Sequence, residues 1–260
     1  MYFTRENENY ITICKVRFVA KIRTVSETKR EFHVHHHRPI NSIYRRFVEE
    51  LMVEMHLFTV NVDFRYDPIF ALGVVTSFDR FMQGYRPEED KGSIFNAVCR
   101  SVAADPHHYR QNAQDILASS QAIAASDLME KVANLTPESA GDNYFLQTLV
   151  NIHQNSNFKY SRLFAIGLYT ILNTVDPDAL KEEEKRNQVL AQLSVALNLS
   201  SEKLQKDLEL YRNNLDKADQ LLKVLDEAME AERKKREKKA QAAISVDTPT
   251  ETTPEVPADS

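Results

Sequence analysis

Apolar residues return at three- and four-residue steps along most of the chain, the period of a helix with one buried face. Over residues 38–85, Ile43, Phe47, Leu51, Met55 and Phe58 mark one such stripe, and Leu72, Val75, Phe78 and Met82 mark a second. The pattern predicts two amphipathic helices joined by a short aromatic loop over 59–67. Asp67 can accept hydrogen bonds from free amides at a helix start, with Pro68 where no amide partner is needed. Gly84 can take the left-handed conformation that closes a helix, and Pro87 prevents the helix from resuming.

The same punctuation divides the rest of the chain. Ser26 opens a helix that runs to about His37, where Arg38 and Pro39 end it. Glu88, Glu89 and Asp90 favour a helix start ahead of Ile94, Phe95, Val98, Cys99 and Val102, and Asp105-Pro106 opens a helix with Tyr109, Ala113, Ile116 and Leu117 inward. Leu128, Met129 and Val132 are the apolar points of residues 119–135, Thr136-Pro137 begins a turn, and Tyr144, Leu146, Leu149, Val150 and Ile152 suggest a short helix. Residues 158–175 are apolar on most sides, as the centre of a bundle is, and Gly167 would allow close approach to the first helix pair. Asp176-Pro177 starts a helix expected to continue through Val189, Leu193 and Leu197, after which Ser200 or Ser201 can cap the last.

From Leu204 onward, Leu208, Tyr211, Leu215, Ala218, Leu222, Leu225 and Met229 alternate at four- and three-residue steps, the seam of a left-handed coiled coil. A helix over 201–240 is about 60 Å long. Its seam requires a covering surface: the chain's own body near Leu204, a second copy, or a different protein toward Met229. The length favours a projecting tip. The tip carries Arg233, Lys234, Lys235, Arg236, Lys238 and Lys239; cations are favourable at a helix C-terminus, and they also suit an acidic partner or anionic lipid headgroups.

Composition supports long helices over sheet: 42% of the 260 residues are apolar, with five glycines and no tryptophan. The expected architecture is all-α, a multi-helix bundle over 23–200 with a long projecting C-terminal coiled-coil helix over 201–240. Residues 1–22 form an N-terminal arm, a short strand or a disordered segment, and 241–260 form a disordered acidic tail. The net charge of −5 gives no sign of the basic patch that nucleic acid requires. Cys14 and Cys99 lack the spacing of a disulfide framework or zinc site, and Cys99 falls on an apolar stripe as an inert buried thiol. The longest mostly apolar run, 163–172, is about half the length needed to cross a hydrocarbon core, so membrane association is expected to be peripheral or partner-mediated.

Chemistry is sparse. No glycine-rich phosphate loop and no Ser/His/Asp or Cys/His arrangement emerges, and no cofactor is expected. His33, His35, His36 and His37 cluster near a helix end, with His33 and His37 one turn apart, but no acid or Cys completes a ligand set. Glu49, Glu50 and Glu54 share a face with Arg45 and Arg46, the pattern of a solvated, ion-paired surface.

The segments RPINSIYRRFVEELMVEMHL, NVDFRYDPIFALGVVTSFDRFMQGY and NIHQNSNFKYSRLFAIGLYTIL resemble the thylakoid formation protein family, also called photosystem II biogenesis proteins, of cyanobacteria and chloroplasts. The resemblance spans residues 23–235. It implies a non-catalytic accessory protein in thylakoid membrane biogenesis and photosystem II assembly and repair that supports FtsH-type membrane proteases and contacts photosystem II components. It also implies a peripheral position on the cytoplasmic, stroma-equivalent side of the thylakoid membrane, with a soluble cytoplasmic pool. The seam residues Leu208, Tyr211, Leu215, Leu222, Leu225 and Met229 are the expected protein contacts, and the six basic tip residues the expected contacts with membrane or acidic partner. The competing expectation is a peripheral lipid-binding protein whose amphipathic surface organises the thylakoid membrane directly.

Overall fold

A computed structural model describes residues 23–246, apart from the side chains of 225, 226 and 239–246. Twelve helices and no strand occur among the described residues. The N-terminal arm and residues 247–260 lie outside them.

Local signals set most helix starts. α1 (Val25–His35) begins one residue before the predicted Ser26, because Thr24 and Glu27 close a capping box. α2 (Ser42–Thr59) is capped by Asn41, and α3 (Pro68–Phe81) by Asp67, whose carboxylate accepts from the Phe70 amide at 2.8 Å. α4 (Asp90–Ser101) and α5 (Pro106–Gln121) follow, then α6 (Ala125–Ala133), the single turn α7 (Pro137–Ala140) and α8 (Tyr144–Gln154). α9 (Arg162–Val175) starts at the Ser161 cap, four residues after the predicted boundary. Asp176 caps α10 (Pro177–Lys181), and an extended Glu182 separates it from α11 (Glu183–Ala196), where one continuous helix is predicted. α12 (Ser201–Val246) is 46 residues long and passes the predicted end at Ala240.

The packing centre is a crossing of α3 and α9. Gly73 and Gly167 face each other there, so closely that a Cβ on Gly73 would lie 1.7 Å from the Leu163 carbonyl oxygen, and one on Gly167 would lie 2.0 Å from that of Ile69. α3 therefore shares the centre with α9. It buries Ile69, Phe70, Ala71, Leu72, Val74 and Phe78 on nearly every side instead of along one stripe. Ile69 and Leu72 join a core built with α5 to α11 and the root of α12, while Phe70, Val74 and Phe78 join a second core under α1, α2 and α4.

α2 is rotated relative to its predicted stripe. It buries Tyr44, Val48, Leu51, Met52, Met55 and His56, leaving Ile43 exposed. His56 is accommodated because the Thr28 hydroxyl lies 2.9 Å from its Nδ1. Burial pushes the Cys99 thiol up to about 12, as expected of a thiol without a reactive neighbour.

Asp67 carries a pH dependence. Burial pushes its carboxyl up to about 7, against the pull of the Phe70 amide. A folded-state value above the unfolded one means that the native chain holds the proton more tightly. Asp67 therefore removes stability as pH rises from about 4 to about 7 and nothing further above that window. Asp67→Asn keeps a capping oxygen and removes the ionisation. The expected result is unchanged thermal stability at pH 4 and a gain of about 2 kcal/mol at pH 8, less than the full displacement would give because the charge also favours a helix N-terminus.

Candidate functional site

α12 has two unlike halves. Leu204, Leu208 and Tyr211 are buried, Leu204 and Leu208 in the first core and Tyr211 edge-on to Phe81 at 6.1 Å between ring centroids. Tyr160 donates to Asp207 at 2.8 Å and fixes the same stretch. Leu215, Ala218 and Leu222 are half-buried, and the Leu222 side chain reaches Gly84 at the close of the α3 turn. Every described side chain over 223–238 is exposed. At 1.5 Å per residue, about 36 Å of helix projects beyond Leu222.

The predicted contact residues separate accordingly. Leu208 and Tyr211 lie under the chain's own body and drop out of the surface open to another molecule. Leu215 and Leu222 are partly covered, Met229 is 61% exposed, and the side chain of Leu225 lies outside the described residues. Beyond Met229 the four-three alternation passes to Glu232 and Arg236, whose side chains pair with each other at 2.6 Å. The apolar seam on the projecting half is thus much shorter than the three or four heptads that a self-standing coiled coil needs.

The basic tip is a laced helix. Arg233 pairs with Glu237 at 3.4 Å and Lys234 with Glu230 at 3.9 Å, one helical turn apart. Lys235 and Lys238 have no carboxylate partner among the described residues, and the side chain of Lys239 lies outside them. Five basic and four acidic residues over 227–238 leave a net charge of +1. Pairs at this spacing stabilise an unsupported helix by about 0.2–0.5 kcal/mol each. They also reduce its attraction to an anionic surface.

Where α12 leaves the body it crosses a cleft of about 420 Å³ bounded by α2, α3 and α9. Phe47 and Phe81 stack in this region at 4.5 Å, and the buried Ser77 hydroxyl, also in the lining, has no hydrogen-bond partner among the described residues. Neither phenyl is marked by the chain's periodicity as lining a cleft. On the rim, Arg162 donates to Glu54 at 2.6 Å. Burial raises the Glu54 carboxyl above its ordinary value and Arg162 pulls it back. Arg162→Met removes that pull, so the folded-state value rises further and stability falls as pH climbs through it. The expected cost is about 2 kcal/mol at pH 8, near the lower side for buried pairs because Arg162 keeps one face in water, and clearly less at pH 5. Chemical denaturation at the two pH values measures both.

The histidine cluster is divided, with His33 and His37 lining one pocket between α1 and α2 and the others turned to different partners. His36 is buried with Nδ1 3.0 Å from the Ser93 hydroxyl, His35 lies 3.3 Å from Glu31, and the His33 ring stands nearly perpendicular to that of Phe32. No group of three His, Cys, Asp or Glu side chains placed to hold a metal occurs among the described residues. Nor is any described helix long and apolar enough to cross a membrane.

The family model described as thylakoid formation protein matches residues 24–240, nearly the whole described chain. The chain belongs to the thylakoid formation protein family. Protein Thf1 of Gloeothece citriformis is 58% identical over 217 residues, which cover 84% of this chain and 96% of the relative. Protein Thf1 of Rippkaea orientalis is 60% identical over 221 residues, 85% of this chain and 94% of the relative. A solved structure of Psb29 superposes with a TM-score of 0.72 at 43% identity, covering 82% of this chain and 98% of that one. The span matched to the thylakoid formation family includes the exposed helix from 223 to 238, so the projection lies within what the family model describes.

Proposed function

We propose that this protein serves thylakoid formation and photosystem II biogenesis as a binding protein with no catalytic step of its own, its projecting helix engaging an FtsH-type membrane protease complex at the cytoplasmic face of the thylakoid membrane. The observation that carries this reading is the division of α12: a root fixed by Leu204, Leu208 and Tyr211, and an exposed, internally ion-paired extension. A helix held rigidly at one end presents its surface at little ordering cost on binding. The family resemblance supplies the kind of partner. Leu221, Val224 and Met229 supply exposed apolar points, and Lys235 and Lys238 supply uncompensated charge.

Direct contact of the tip with lipid is the second reading, and the near-neutral net charge of 227–238 disfavours it. The double variant Lys235→Glu/Lys238→Glu separates the two. Co-purification of protease subunits from cells should fall on the order of tenfold, as for loss of charge contacts at an interface. Flotation of the purified protein with phosphatidylglycerol vesicles should be weak and alike in both forms. Strong flotation lost in the variant, with co-purification unchanged, would replace the protease reading with the lipid one.

A further inference from the structure

A second pocket, on a different face of α2 from the cleft under α12, lies beneath the turn from α1 to α2 and has a volume of about 350 Å³, within the range of small-ligand sites. Its floor is apolar: Phe32, Val48 and Met52 line it and are buried, with Ile40 half-buried beside them. Its mouth is unbalanced in charge. α1 contributes Lys29 and His33, the turn His37 and Arg38, and α2 Arg45, against the single lining carboxylate of Glu49. Glu49 is already shared, 2.9 Å from Lys29 and 4.0 Å from Arg45, and Arg38 donates to Asp90 of α4 at 2.8 Å. Three cations thus face two carboxylates. One positive charge stays uncompensated, with two exposed imidazoles beside it.

We propose that this pocket binds a small anionic amphiphile, a single carboxylate or phosphate head on an apolar tail, with the head held by Arg45 and Arg38 and the tail laid against Phe32, Val48 and Met52. The charge order decides the class of ligand. A purely apolar molecule would leave the mouth as unbalanced as before, and a cation would add to the one uncompensated positive charge. An anion completes the pairing and lies near guanidinium groups suited to two-point contact with carboxylate or phosphate.

Calorimetric titration of the full-length protein with decanoate, below its self-association concentration, tests the idea, with decanol as the uncharged control. One site per chain is expected for decanoate, with decanol bound far more weakly. Arg45→Gln, an exposed position that leaves the core untouched, should weaken decanoate by about tenfold, the effect of losing one charge-assisted hydrogen bond. A matching thermal melt establishes that the variant is folded. Sedimentation with phosphatidylglycerol vesicles identifies the source: Arg45-dependent sedimentation makes the ligand a membrane lipid, and decanoate binding without it makes the ligand a free fatty acid, both upholding the site. Equal affinity for decanol and decanoate, indifference to Arg45→Gln, or binding of an acidic aromatic peptide in place of decanoate would overturn the proposal.

Discussion

Gly73→Ala is expected to lower the melting temperature by about 8 °C, corresponding to about 3 kcal/mol for a body of this size. The added methyl would sit 1.7 Å from the Leu163 carbonyl oxygen, and the obstruction is helix backbone, which cannot rotate aside as a flexible side chain can. α3 and α9 must therefore separate along the crossing that joins both cores. Overpacking a filled interior costs about 1–3 kcal/mol and more where backbone must move, and alanine's restriction of the unfolded chain returns only about 0.4–1 kcal/mol of that. Gly167→Ala meets the Ile69 carbonyl at 2.0 Å and should behave alike. The double variant should cost much less than the sum, since the first methyl already opens the space the second needs. Gly92→Ala is the control. It lies in the first turn of α4 with nothing within 4 Å of its Cβ position, so alanine should be neutral or stabilising by up to about 1 kcal/mol.

Ending the chain at Leu222 should abolish capture of the protease complex and slow photosystem II recovery after strong light, with the melting temperature shifted by less than about 2 °C. The separation follows from burial, because every described side chain over 223–238 is exposed and Leu222, the last described residue packed against a core, is kept. Surface residues away from packed contacts contribute within about 0.5 kcal/mol each, so removing them leaves the body intact. Leu208→Ala is the converse. It empties a buried position, costs about 3 kcal/mol, and should weaken partner capture only as far as it loosens the root of α12. A truncated chain that melted far lower would mean that the extension folds back onto the body. A folded truncated chain with full capture would place the partner surface elsewhere.

The all-helical class and most helix starts were legible because capping chemistry is local. Each Asp-Pro pair, at 67–68, 105–106 and 176–177, begins a helix with the aspartate oxygen on a free amide, since two adjacent residues suffice to supply both the acceptor and the missing donor. Depth of burial was less legible. α3 reads as a one-sided helix because Gly73 and Ser77 interrupt its apolar run, yet Gly73 is where the backbone of α9 comes against it. A glycine inside a helix reads as a weak point until the opposing backbone is known. The stripe on α2 was displaced for a related reason: Ile43 and Phe47 border the cleft beneath α12, a surface made by residues more than 150 positions away. For α12, the spacing established that a seam exists but not what covers it. The body takes Leu208 into the core shared by α9 and α11, and Tyr211 against Phe81 of α3, which no local pattern records. Likewise, six basic residues over 233–239 read as strongly cationic until Glu230 and Glu232 ahead of them and Glu237 among them are seen to pair with three of the six.

The most direct measurement is site-specific photo-cross-linking in intact cells, with the reactive group placed in turn at Leu208, Val224 and Met229. Adducts with an FtsH-type protease subunit are expected from Val224 and Met229, and only intramolecular adducts from Leu208. Val224 and Met229 joined solely to the protein's own body or to a second copy of itself would contradict it.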